Sequence, residues 1–115
     1  MRFLFLFNWL DRIKKLYAWH CQRYALRSVS DLPEEKHIRK YTIYCVGEEP
    51  YQWCAVFYCP CGCKELIYLN LLSTAKPCWT LTPKGKKHCT VFPSVHRIKG
   101  CKSHFFVVEG RIRWV

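Results

Sequence analysis

The chain has 115 residues, half of them apolar and 17% aromatic, which is enough to build one domain with a buried core and too little for two. That composition excludes global disorder. The formal charge of +11 is uneven, since residues 1–27 carry six basic and one acidic side chain, residues 28–75 four and six, and residues 76–115 nine and one. Basic ends of this kind attract nucleic acid, anionic lipid or an acidic protein partner, and they serve solubility equally well.

Met1-Arg2 followed by Phe3-Leu4-Phe5-Leu6-Phe7 resembles the opening of a signal peptide, but Asn8 and Asp11 end the apolar run and no small-residue cleavage site follows. The run is also far short of the ~20 apolar residues of a spanning helix. The expected location is therefore cytoplasmic. Leu6, Trp9, Leu10, Ile13, Leu16, Tyr17 and Cys21 recur at spacings of three and four while Arg12, Lys14, Lys15, Gln22 and Arg23 take other faces, which predicts an amphipathic basic helix over residues 1–27. Such a helix could lie on an anionic membrane surface or dock on a protein. Residues 28–40 read as a polar connection, in which Asp31-Leu32-Pro33-Glu34-Glu35 supplies the cap, proline and acids of one short helical turn.

From residue 41 the pattern changes to strands. Tyr41–Val46, Gln52–Tyr58 and Leu66–Leu72 are dense in β-branched and aromatic residues. Trp79–Leu81 and Thr90–Phe92 flank the turn-rich stretch Thr82–Lys87, and Phe105–Val108 and Arg111–Trp114 flank Glu109-Gly110, where glycine supplies a positive φ for a tight hairpin. The predicted fold is mainly β: a small antiparallel domain over residues 41–115, either a sandwich or a partly open barrel, with a zinc site and the one N-terminal helix. Trp53, Tyr68, Trp79 and Trp114 are expected in the core. So are Cys21, Cys45, Cys54, Cys78 and Cys89, whereas His20, His37, His88 and His96 are expected on the surface.

The cysteines carry the chemistry. Cys59-Pro60-Cys61-Gly62-Cys63 places three thiols in five residues, too close for ordinary disulfides with one another, and nine cysteines is an odd total for a disulfide framework. Zinc accepts thiolates in a tetrahedron, and a turn bearing proline and glycine can aim several sulfurs at one point. Gly100-Cys101-Lys102-Ser103-His104 looks like the other half of the site. One ligand set is Cys59, Cys61, Cys63 and Cys101. The alternative is a half-site of Cys101 and His104 completed by two of the three clustered thiols.

These motifs, with Trp79, Pro93-Ser94, Cys101-Lys102-Ser103-His104-Phe105 and Gly110-Arg111-Ile112-Arg113-Trp114 in order and at matching spacing from about Asp31 to the end, resemble a family of small bacterial Cys-rich domains of unknown function. Its members are often encoded beside ubiquitin-like proteins and their activating and conjugating enzymes. The resemblance implies a peptidase that processes or removes a ubiquitin-like modifier, with the modifier or its conjugate as partner. Many members carry histidine two residues before the cluster, where this chain has Phe57.

If the four cysteines hold the metal, His104 and two serines are left for catalysis. Ser103 and His104 are neighbours in an extended strand and project to opposite faces. Ser94 could instead reach His104 across a sheet as nucleophile and base, with backbone N–H groups near Gly100 as oxyanion donors and His96-Arg97 contacting an anionic substrate tail. Ser94, Ser103 and His104 are therefore the candidate catalytic residues of a serine-type peptidase. A non-catalytic zinc-bound β module that binds nucleic acid or protein through its basic flanks is the competing reading.

Overall fold

The computed structural model describes residues 10, 12, 13 and 23–115, so those three positions aside, the helix expected before residue 23 lies outside the described residues. Its expected C-terminal end is corrected. Ala25–Val29 form strand β1, because Tyr24 enters the core and the segment pairs in parallel with the next strand from Ala25↔Thr42 to Val29↔Val46. A stretch this short fits helical and extended spacing alike, and tertiary pairing decides between them.

The remaining strands are β2 (Thr42–Val46), β3 (Cys54–Tyr58), β4 (Leu66–Asn70), β5 (Thr80–Lys84), β6 (His88–His96), β7 (His104–Val108) and β8 (Arg111–Trp114). They form two four-stranded sheets, ordered β1-β2-β3-β4 and β5-β6-β7-β8, and every neighbouring pair except β1–β2 is antiparallel. The short helical turn expected after Pro33 is a single 3₁₀ turn at Glu35–His37, in the crossover between β1 and β2.

One core joins the sheets. Ile43, Ala55, Phe57, Ile67 and Leu69 from the first meet Cys89, Val91, Val95, Phe105, Val107 and Ile112 from the second, which makes the domain a sandwich with both inner faces apolar. Phe57 is a core residue, fully buried and edge-on to the rings of Tyr24 and Phe105. The outer face of the first sheet buries Tyr44, Val46, Cys54 and Val56 beneath Ile38 of the crossover. The eight cysteines among the described residues are free thiols, and Cys45, Cys54 and Cys89 are buried as expected while Cys78 is half-buried.

Several side chains depart from expectation. Trp79 and Trp114 pack against the core, but Trp53 is 44% and Tyr68 57% exposed. Tyr68 lies between buried Ile67 and Leu69 on β4, so the pleat turns it outward. His88 is half-buried, with Nδ1 3.1 Å from the Tyr24 carbonyl oxygen.

The seam between sheets closes at Gly110. Its N–H donates to the Cys89 carbonyl at 2.8 Å, and its own carbonyl accepts from Tyr24 N–H at 2.7 Å. At φ +83° the position suits glycine, and a Cβ there would stand 2.6 Å from the Tyr24 carbonyl oxygen. Gly110→Ala is therefore expected to cost at least about 1–3 kcal/mol of stability, read as a lowered urea midpoint. A midpoint unchanged from the parent chain would show that the seam relaxes freely.

Candidate active site and metal centre

Two clusters sit at the end of the sandwich where β3, β4, β6 and β7 converge. The first is made of sulfur. Cys59 follows directly on β3, Cys61 and Cys63 lie further along the β3–β4 turn, and Cys101 lies in the β6–β7 connection. Their four Sγ atoms lie within 4.8 Å of one another, with Cys59 3.4 Å from Cys61 and 3.7 Å from Cys101. Tetrahedral metal–sulfur bonds of about 2.3 Å would set neighbouring sulfurs about 3.8 Å apart. The four donors thus fit a tetrahedral ion, and His104 is not among them.

The local chain explains this convergence. Gly62 at φ +90° and Lys64 at φ +64° fold the β3–β4 turn back on itself, as Gly100 at φ +76° and Lys102 at φ +54° do for the opposing loop. Cys59 N–H donates to the Glu65 carbonyl at 2.9 Å, and Cys63 N–H donates to the Cys61 sulfur at 3.4 Å. The buried Ser103 hydroxyl donates to Cys101 Sγ at 3.2 Å.

Arg97 spans the two hairpins. It donates to Cys63 and Cys101 sulfurs at 3.6 and 3.7 Å and holds the Glu65 carboxylate at 2.7 Å. Desolvation works against its charge, but Glu65 and the sulfurs outweigh it and hold the guanidinium firmly protonated. Four thiolates around a divalent ion carry two net negative charges, so a cation in this shell offsets them. Burial pushes the Cys59 thiol up to about 12 and raises that of Cys63. Cys101 moves the other way, to about 6, because the Ser103 hydroxyl and backbone bonds outweigh its desolvation.

The second cluster lies on the outer face of the second sheet. His96 and His104 are direct partners across β6 and β7, and their rings stack at 4.3 Å with planes 14° apart. Ser94 is two residues before His96 and so shares its face, and its Oγ lies 2.9 Å from His104 Nε2. A bulge assists: the register runs from Val91↔Val107 to Val95↔Phe105, so four steps along β6 answer two along β7, and the surplus holds Pro93 and Ser94. The Trp79 indole N–H donates to the Ser94 carbonyl at 3.3 Å and anchors the bulge.

The structure thus brings Ser94 and His104 together and places Ser103 elsewhere, against Cys101. The loop at Gly100 faces the Glu65 carboxylate, within 3.2 Å of where a Gly100 Cβ would stand, and Arg97 holds that carboxylate in an ion pair. Among the described residues no carboxylate hydrogen-bonds His104; the stacked His96 ring borders it instead. Arg97 as a bridge to the sulfurs escaped the sequence reading, since nothing in its spacing shows that a side chain four residues before Cys101 also reaches Cys63.

A family model for the bacterial ubiquitination-like system serine protease BubE matches residues 28–115. The chain belongs to this family of serine proteases. No curated protein and no solved structure matches it. Among the described residues no helix is long and apolar enough to cross a membrane.

The metal centre yields a prediction with a definite sign. Raised thiols are protonated in the metal-free chain at neutral pH and must release those protons to ligate, so affinity falls as pH falls. One ion per chain is expected by elemental analysis, lost on mild acidification and lost in Cys101→Ser together with much of the fold. A Cys101→Ser protein with stoichiometric metal and unchanged melting temperature would remove Cys101 from the ligand set.

Proposed function

We propose that this chain is a serine hydrolase that cleaves the peptide or isopeptide bond following the C-terminal carbonyl of a ubiquitin-like protein, with structural zinc at the four-cysteine cluster. The observation that carries the reading is the 2.9 Å approach of Ser94 Oγ to His104 Nε2 on a half-buried face. Membership of a family of ubiquitination-like system proteases supports the substrate class.

In this reading Ser94 Oγ attacks the carbonyl carbon as its proton passes to His104 Nε2. Collapse of the tetrahedral adduct breaks the C–N bond, and the imidazolium returns the proton to the leaving amine. Water then attacks the acyl ester, giving one proton to His104 and releasing the carboxylate as Ser94 regains its own. The stacked His96 ring restrains the plane of the imidazole, while the bond that a carboxylate makes to Nδ1 in three-residue triads has no counterpart among the described residues. Ser103, held on Cys101, orients a ligand and is not the nucleophile.

Zinc fits the donor set because four thiolates saturate a tetrahedron and leave no open position. When bound, it supplies a crosslink between the β3–β4 turn and the β6–β7 connection. Ser94, His96 and His104 perform the chemistry on the adjoining strands.

The test is hydrolysis of a fusion in which a peptide follows the ubiquitin-like protein of the same system. Ser94→Ala and His104→Ala are each expected to lower kcat/KM by about 10³-fold or more, since residues acting as one unit fail together, while metal content and melting temperature stay near those of the parent. Release of the metal in His104→Ala would place the imidazole in the metal shell and overturn the reading.

A further inference from the structure

Two backbone edges face the same groove. Within the first sheet β4 is an outer strand, hydrogen-bonded only to β3. Cys59 N–H reaches Glu65 O and Leu71 N–H reaches Trp53 O, which fixes the alternation of the antiparallel ladder: Ile67 and Leu69 direct N–H and C=O toward β3, while Leu66 and Tyr68 direct theirs away. Among the described residues the only backbone bond made to that outer edge is at its end, where Trp79 N–H donates to Asn70 O at 2.9 Å.

The second edge belongs to β6. Its pairing with β5 begins at Phe92↔Thr80, so the stretch from Ser94 to His96 overhangs the end of β5. Arg97 N–H donates to Ser103 O, which makes Arg97–Ser103 a bonded pair and His96–His104 an unbonded one. His96 therefore turns its N–H and C=O away from β7. Between the two edges lies a groove of about 300 Å³ lined by Leu66–Leu69, Trp79, Val95, His96 and Arg97. Trp79 touches the Ser94 carbonyl and the His96 ring stacks on His104, so two residues that line the groove contact the Ser–His pair.

We propose that the substrate enters as an added β-strand: an extended polypeptide tail lies in this groove, hydrogen-bonded through its own backbone to Leu66 and Tyr68 of β4 on one side and to His96 on the other. This rests on the hydrolase reading of the site and supplies its mode of recognition. Unpaired N–H and C=O groups along an edge are a template for another strand, and main-chain bonds give affinity with little regard to sequence. The overhang of β6 lets one tail bond both sheets while its scissile carbonyl comes to Ser94. Exposed Tyr68 and half-buried Trp79 flank the path with apolar surface.

The experiment uses full-length protein bearing Ser94→Ala, which binds without cleaving, and a synthetic peptide of the C-terminal tail of the ubiquitin-like protein of the same system. A scan that N-methylates one peptide nitrogen at a time is expected to alternate along the β4 edge, with affinity falling about tenfold or more at every second residue, while of the residues between only the one whose N–H faces His96 is sensitive, because alternate N–H groups face opposite edges and β6 offers His96 alone. Hydrogen exchange at Leu66, Tyr68 and His96 is expected to be fast in the free protein and slowed by the peptide. Tyr68→Pro, which removes an N–H that β3 does not use, is expected to weaken the peptide by a similar factor, whereas Tyr68→Ala keeps that N–H and most of the affinity.

A flat methylation scan would overturn the proposal even if the parent chain cleaves its fusion, leaving the hydrolase reading in place. An alternating scan with a parent chain that cleaves nothing would do the reverse. Slow exchange of Leu66 and Tyr68 without peptide would show the edge already covered by this chain, or by a second copy if the protection grows with protein concentration; either result contradicts the proposal.

Discussion

Four sulfurs held within 4.8 Å of one another cannot all be anionic without a cation, and this constraint governs the end of the sandwich where β3, β4, β6 and β7 converge. Protons satisfy it in part, as the raised Cys59 and lowered Cys101 show; a divalent ion there would offset two of four thiolate charges and join segments 42 residues apart. Arg97 extends the same logic outward by placing its guanidinium on two of the sulfurs and its other arm on Glu65. The hairpin of one sheet and the connection of the other are thereby fastened at the point where the groove opens. His104 begins its strand three residues after Cys101, so its position depends on that fastening.

The second device is the bulge in β6. A regular strand would oppose one residue to one, and proline would interrupt its hydrogen bonds. Here the surplus residues absorb Pro93 where no β7 partner is needed, and Ser94 returns to the outer face beside His96. The inner face keeps its apolar rhythm through Val91, Val95, Phe105 and Val107. A rigid core on one side of β6 and β7 and a polar constellation on the other follow from one alternation, which holds Ser94 and His104 on strands rather than on loops.

Much of this was legible in the sequence. The spacing of the cysteines exposed the sulfur cluster because thiolate ligands need little beyond turns that can converge, and Gly62 and Gly100 advertise such turns. The strands from β2 to β8 announced themselves by β-branched and aromatic runs, and the Glu109-Gly110 hairpin by its glycine, but Thr82-Pro83-Lys84 read as turn and instead continue β5. β1 was hidden, since five residues that alternate only weakly look like the end of a helix until a parallel partner is known. The ends of β6 were hidden as well: turn-like Pro93-Ser94 breaks the pattern at the residues the site uses. The His96–His104 stack and the Arg97 contacts with sulfur depend on register across strands, which spacing along one chain does not encode.

In the proposed reading Ser94 is the nucleophile and His104 the group that activates it. Reaction of the folded, metal-loaded protein with a fluorophosphonate, followed by mass spectrometry of its peptides, tests that claim most directly. One adduct per chain is expected, located on Ser94 and abolished in His104→Ala. Modification at Ser103 instead, or equal labelling of Ser94 with and without His104, would contradict it.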